Sequence, residues 1–283
     1  MEMSGGTLLL GVGAQKAGTT WLYRQLSRSP AFAAPFRKEL HVLDVASLPS
    51  HGWMRRRIEA EAAGDPGTGV GSPAHRLRLA DDLDAYADYL AGLLATPGAV
   101  ATADITPSYA LLRPETVAAV RAAMDARGVR TVAVFLMRDP VERLWSQVRM
   151  RHDRPRAGET GVRDAVAEFR EALRRPGFRA RSGYVQTLDM LAEALPAADV
   201  HLGIYEDLVA APATWHAIRE LVGLPHLEPE LEQRANVSGT RAELPEALAL
   251  RAATRFAEVY REVDRRHPEF DVARRWRHAS HVL

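Results

Sequence analysis

Residues 7–22, TLLLGVGAQKAGTTWL, decide the fold. Thr7–Val12 is a short, almost wholly apolar run, the pattern of a strand buried on both faces. It runs into a turn with glycine at Gly13 and Gly18 and a lysine between them, Lys16. From Thr19 to Ser29 the pattern is helical, with Leu22 and Leu26 on one face and Trp21 beside them. Strand, glycine-containing loop and helix in that order form a phosphate-binding unit. The glycines let backbone N–H groups approach an anion, and the first turn of the helix offers unpaired donors and the positive end of its dipole.

Working outward, the same alternation recurs. Val100–Ile105 predicts a strand, and Arg113–Arg127 a helix with Pro114 in its first turn. Thr131–Met137 (TVAVFLM) is a continuous apolar run that predicts a central parallel strand. It ends at Arg138-Asp139-Pro140, and a helix is expected over Val141–Met150, with Asp139 near its N-cap. Asp199–Tyr205 predicts another strand, followed by Glu206-Asp207-Leu208, a helix over Pro212–Val222 and a long final helix over Pro245–Arg266. Its apolar positions include Leu248, Ala252, Phe256 and Val259. The expected fold is α/β: P-loop-like, with a mostly parallel central sheet flanked by helices, over one domain spanning residues 1–283. Ligands in such sheets lie beyond the carboxyl ends of the strands, so the Gly13–Gly18 loop and Arg138 are expected to share one crevice. Ala62–Ser72 and Arg151–Gly161, rich in glycine, proline or charge, read as loops.

Composition narrows the function. There are 37 basic and 36 acidic residues, for a net charge of +1, which disfavours a nucleic-acid partner. No cysteine is present, so disulfides and cysteine-based zinc sites are excluded. No basic stretch precedes Thr7–Val12 and no run approaches ~20 apolar residues, so a soluble cytoplasmic protein without stable membrane insertion is expected. Only two of the 37 basic residues are lysines, Lys16 and Lys38. In a background that strongly favours arginine, a retained lysine points to a need for a compact ammonium.

The loop departs from the nucleotide-triphosphate pattern, in which lysine directly follows the second glycine. Here Lys16 precedes Gly18 by two residues. Leu10–Leu22 instead resembles the 5′-phosphosulfate loop of the sulfotransferases that use 3′-phosphoadenosine 5′-phosphosulfate (PAPS), nearer to their heparan-sulfate-type and bacterial branch. The resemblance implies that Lys16 stabilises the leaving group, that Gly18, Thr19 and Thr20 bind the 5′ phosphate, and that Gly13 and Trp21 belong to the same cofactor site. Arg138-Asp-Pro-x-x-Arg143-x-x-Ser146 is similar to the family's 3′-phosphate motif. An arginine fork at the strand end and a hydroxyl two helical turns on suit a phosphate; Arg143 reads as a structural bond to loop or helix.

Four further segments carry the resemblance. Asp104–Tyr109 is similar to a Glu-Lys-Thr-Pro-x-Tyr stretch, with Ile105 in place of the lysine that contacts acceptor or cofactor there. Tyr205–Leu208 resembles a Tyr-Glu-Asp-Leu stretch used for packing and loop anchoring. Asn236–Arg241 resembles a late loop that closes over the nucleotide, implying contacts from Gly239, Thr240 and Arg241. Lys38-Glu39-Leu40-His41 resembles a Lys-Glu-x-His stretch in which the glutamate is the catalytic base. Glu39 is therefore the expected base, with its pKa raised or acting on a proton acidified in the transition state, and His41 is the alternative. The implied reaction moves a sulfuryl group from PAPS to a hydroxyl or amine, with no metal. Two other readings stay open: a small-molecule kinase with Mg²⁺ held by Asp104 or Asp139, and a non-catalytic nucleotide-binding protein of the same fold. The acceptor is left open among small molecules, lipids and sugars.

Overall fold

The computed structural model describes residues 5–65, 67–153, 164–231 and 242–283. Gly239, Thr240 and Arg241, and most of the Arg151–Gly161 loop, lie outside the described residues.

Among the described residues one parallel sheet holds five strands: β1 (Thr7–Gly13), β2 (Phe32–Ala33), β3 (Ala101–Asp104), β4 (Arg130–Met137) and β5 (Val200–Ile204), in the order β2-β3-β1-β4-β5. Every residue of β1 is buried, as is β4 from Thr131 onward, which explains why both read as unbroken apolar runs. β1 stays bonded to β4 beyond its last pairing, with Ala14 N–H donating to Leu136 at 2.7 Å. After β1 the chain turns toward β2, and after β4 toward β5. The carboxyl ends of these two adjacent strands are therefore the switch point where an open α/β sheet forms its crevice.

Helices cover the sheet, and their buried faces join it in one apolar cluster. Thr19–Leu26 buries Trp21, Leu22, Gln25 and Leu26, and Pro140–His152 buries Val141, Leu144, Trp145 and Val148. Asp139 caps the second of these, accepting from the N–H groups of Val141 (2.9 Å) and Glu142 (3.1 Å), and also takes the Tyr260 hydroxyl and the His278 N–H. No helix among the described residues is long and apolar enough to cross a membrane.

Three expectations change. The final helix is two, Glu246–Arg255 and Ala257–Arg266, separated at Phe256, whose buried ring lies where the expected apolar stripe would have continued unbroken. Tyr205 opens a helix, Tyr205–Ala210, rather than closing a strand. Ala62–Gly64 complete the helix Gly52–Gly64, so the loop is shorter than the Gly/Pro content indicated, and Ser72 already caps the next helix by accepting from His75 N–H.

Candidate functional site

The loop after β1 takes its shape from backbone torsions. Lys16 (φ 71) and Gly18 (φ 91) both lie in the left-handed region, which a glycine adopts freely and a lysine does not. Gly18 is the N-cap of Thr19–Leu26, and the first bond of that helix runs from Leu22 N–H to Gly18 at 3.0 Å. The N–H groups of Thr19, Thr20 and Trp21 precede that bond and are the donors a helix start offers an anion. A methyl group on Gly18 would stand 2.6 Å from Leu208 Cδ2 and 3.2 Å from the Tyr205 ring. The Tyr205–Leu208 stretch is thus the wall against which the loop folds.

Arg138, at the end of β4, meets this loop directly. Its guanidinium donates to the Lys16 carbonyl at 3.1 Å, lies 4.5 Å over the Tyr205 ring and is 3.7 Å from Glu142. Its carbonyl accepts the Tyr184 hydroxyl at 2.7 Å. The two sequence motifs therefore occupy one crevice. Ser146 sits two turns along the following helix, half-buried. Arg143 is fully buried and faces away, donating to Ser182 Oγ, Gln147 and the Phe178 carbonyl. Burial lowers its pKa to about 10, which leaves it cationic at neutral pH. It is a strut for residues 178–182.

Trp21 offers the helix start its backbone N–H, while its side chain packs into the fold. Its indole is buried, donates to the Glu230 carbonyl at 3.1 Å and packs edge-on against Trp215. The side chain fastens Glu230 to the helix.

The second half of the site is a chain of ionised side chains. Lys38 Nζ lies 2.7 Å from Glu39; Glu39 lies 3.3 Å from His41 Nε2; and His41 Nδ1 lies 2.7 Å from Asp44. Asp44 is completely buried and also takes the Ser108 hydroxyl at 2.5 Å, with His51 at 3.5 Å. His41 reaches both carboxylates from a left-handed backbone, φ 54. Burial alone would raise Glu39, but the bonds from His41 and Lys38 outweigh it and hold it at about 2. Burial alone would lower His41, but Asp44 and Glu39 raise it to about 9. Asp44 is likewise held low by His41 and Ser108 against its burial.

This corrects the expected charge states. Glu39 is not a carboxyl of raised pKa, and His41 is an imidazolium at neutral pH rather than a free base. Glu39 is the group that retains proton-accepting capacity, with its side chain 39% exposed. Asp44 and Ser108 belong to this candidate cluster, and the sequence did not single them out. No helical spacing signals the pair, because His41 precedes the helix Leu43–Ser47 in a left-handed conformation and Asp44 lies in its first turn.

The turn Pro107–Leu111 ties the two halves together. Ser108 bonds Asp44, Tyr109 Oη accepts from Val42 and Leu43 N–H, and Thr106 Oγ1 accepts from His41 N–H at 3.5 Å. A methyl group on Gly13 would stand 3.1 Å from the Pro107 carbonyl and 3.2 Å from Ala110 Cβ. The glycine lets the phosphate-type loop press onto the turn that supports the ionised cluster. Ile105 faces elsewhere: it is buried, and its side chain occupies the space over Gly11, where an added Cβ would stand 2.7 Å from it.

Asp104 and Asp139 serve the fold. Asp104 is buried, takes the hydroxyls of Tyr86, Thr106 and Tyr109, and is raised by burial. Asp139 is consumed as a helix cap. No group of three or more metal-type ligands occurs among the described residues.

The solved sulfotransferase from Alicyclobacillus acidocaldarius shares this fold, with a TM-score of 0.61 at 19% identity over 92% of this chain and 94% of that one. The sulfotransferase domain from the curacin biosynthetic pathway aligns over 83% of this chain and 81% of that one, at 20% identity and a TM-score of 0.45. No protein-family profile and no curated protein matches the chain.

Proposed function

We propose that this protein is a sulfotransferase that moves the sulfuryl group of PAPS to a hydroxyl or amine of an acceptor. The observation that carries the reading is the contact between Arg138 and the Lys16 carbonyl, which brings a helix-start anion loop and a strand-end guanidinium into one crevice beside an ionised Lys38–Asp44 cluster. The donor set fits a nucleotide with phosphate at both ends. Backbone N–H groups and the Thr19 and Thr20 hydroxyls suit the 5′ phosphate, and Arg138 and Ser146 suit the 3′ phosphate.

In this mechanism Glu39 accepts the proton of the acceptor hydroxyl as the oxygen–sulfur bond forms. Its low pKa makes it a weak base toward a resting alcohol, so the transfer belongs late, when bonding to sulfur has acidified the proton. His41, held as an imidazolium by Asp44, keeps Glu39 ionised and oriented. Lys16 places positive charge where the bridging oxygen to the 5′ phosphate takes up electrons as its bond to sulfur breaks. The kinase reading has less support: the strand-end carboxylate Asp104 is occupied by three hydroxyls and Asp139 by a helix start. The test is incubation of the protein with isotope-labelled PAPS and a metabolite extract, followed by mass spectrometry. A labelled sulfuryl adduct formed with PAPS and absent with ATP supports the reading. Phosphoryl adducts from ATP with none from PAPS overturn it.

A further inference from the structure

We infer that Glu206, a buried carboxyl group beside the Arg138 strand end, takes up a proton when a phosphate-bearing nucleotide binds. The inference rests on the reading of Arg138 as a nucleotide-phosphate ligand and adds a coupled proton to it.

Glu206 occupies the joint between the two anion-binding elements. Its helix begins at the end of β5, places Tyr205 under the Arg138 guanidinium and packs Leu208 against Gly18. Glu206 Oε1 accepts from Asp139 N–H at 3.4 Å, and the carboxyl group also takes its own backbone N–H. Oε2 is buried and has no hydrogen-bond partner among the described residues. The ion-pair carboxylate of Arg138 is Glu142, not Glu206. A buried carboxylate with one oxygen unbonded and no direct counter-ion is costly to ionise.

Among the described residues, few charged or titratable groups face Glu206. Arg138 and Asp139 come from the end of β4, the first favouring the carboxylate and the second opposing it. Tyr184 comes from the helix Tyr184–Ala194, with its hydroxyl on the Arg138 carbonyl. On its own helix, Asp207 pairs with Arg275, and the loop packed on that helix through Gly18 carries Lys16. Burial is the largest influence and pushes Glu206 up to about 7, where small changes in local charge alter its protonation. A phosphate on Arg138 shares the guanidinium charge and adds negative charge beside the carboxylate. Both changes favour the neutral acid. The proton comes from solvent and goes to Oε2, the oxygen that has no donor. By linkage, nucleotide affinity then falls as pH rises through the Glu206 pKa.

The experiment is calorimetric titration of wild type and Glu206→Gln with adenosine 3′,5′-bisphosphate at pH 7.5, in two buffers of different ionisation heat. The glutamine keeps an acceptor for Asp139 N–H and cannot titrate, and the nucleotide's own protons contribute equally to both proteins. Wild type should take up roughly half a proton more per site than the variant, and its affinity should fall several-fold more between about pH 6.5 and 8.5. Equal uptake overturns the role of Glu206 while leaving the nucleotide site intact. Absence of binding in both proteins overturns the site reading itself. Carbon-13 spectra of glutamate-labelled wild type give a second reading. The carboxyl signal missing from the variant should titrate near 7 and move upward with nucleotide; titration in the ordinary carboxylate range overturns the proposal.

Discussion

The two halves of the crevice are made of different material. The Gly13–Thr20 half is backbone: glycine torsions, helix-start N–H groups and one lysine, with no room for a side chain at Gly13 beside Pro107 and Ala110 or at Gly18 beside Leu208. The Lys38–Asp44 half is side chain: four charged groups in series, each holding the charge of the next, closed at the buried end by Ser108 and His51. A backbone site presents nearly the same field at any pH. A side-chain chain presents the field its protons allow. The comparison teaches that the donors of the Gly13–Thr20 loop are set by chain geometry, whereas the charge states of Glu39, His41 and Asp44 are set by one another.

That contrast can be broken at either half. Lys16→Ala removes the only full side-chain charge within the Gly13–Thr20 loop, and turnover should drop by about 10²–10³-fold, as for one lost charge-stabilising donor. Single-turnover sulfuryl transfer checks this; a near-normal rate would move the leaving-group role elsewhere. Glu39→Gln should slow the chemical step by about 10²-fold while leaving adenosine 3′,5′-bisphosphate affinity unchanged. If affinity fell in parallel with rate, the cluster would belong to nucleotide binding, and the division into halves would fail.

Asp44→Asn sharpens the comparison, because it removes the buried carboxylate charge that His41 pairs with while leaving an acceptor for the Ser108 hydroxyl. The variant should lose about 2 kcal/mol of stability, and the His41 pKa should drop from about 9 toward its ordinary value, read from proton NMR of the ring. The sign follows from linkage. His41 is raised in the fold, so its contribution is complete below 6.5 and is lost as pH rises through about 9. Glu39 is depressed, so its contribution is present above 4.5 and is lost as pH falls toward 2. The stability gap between wild type and Asp44→Asn should therefore narrow from pH 6.5 to 9. A constant gap over that range would show that Asp44 acts by packing rather than by charge.

The same contrast explains what could be read from the sequence. The sheet was legible because β1 and β4 are buried on both faces, and their ends were legible because Gly13, Gly18 and Asp139 mark loops and caps with particular torsions or bonds. The short pairing of Phe32–Ala33 carries no periodic signal, and the break at Phe256 is set by packing that an apolar stripe does not record. In the candidate site, the contacts that bring Lys16 to Arg138 and Glu39 to His41 join residues that the sequence motifs had marked. The ionisation of Glu39 and His41 was not legible, because it depends on burial and on Asp44 and Ser108 approaching from other turns. The packing of the Trp21 indole was not legible for a related reason: its position beside the loop gives no sign that Glu230 returns to take its ring N–H.

The most direct measurement of the central claim is the affinity of wild type and Arg138→Ala for adenosine 3′,5′-bisphosphate and for adenosine 5′-monophosphate. If one nucleotide spans the loop and Arg138, wild type should favour the bisphosphate by about 100-fold, as expected for charged hydrogen bonds worth roughly 2–3 kcal/mol, and the variant should lose most of that preference. A preference that survives in Arg138→Ala, or that wild type never shows, would contradict it.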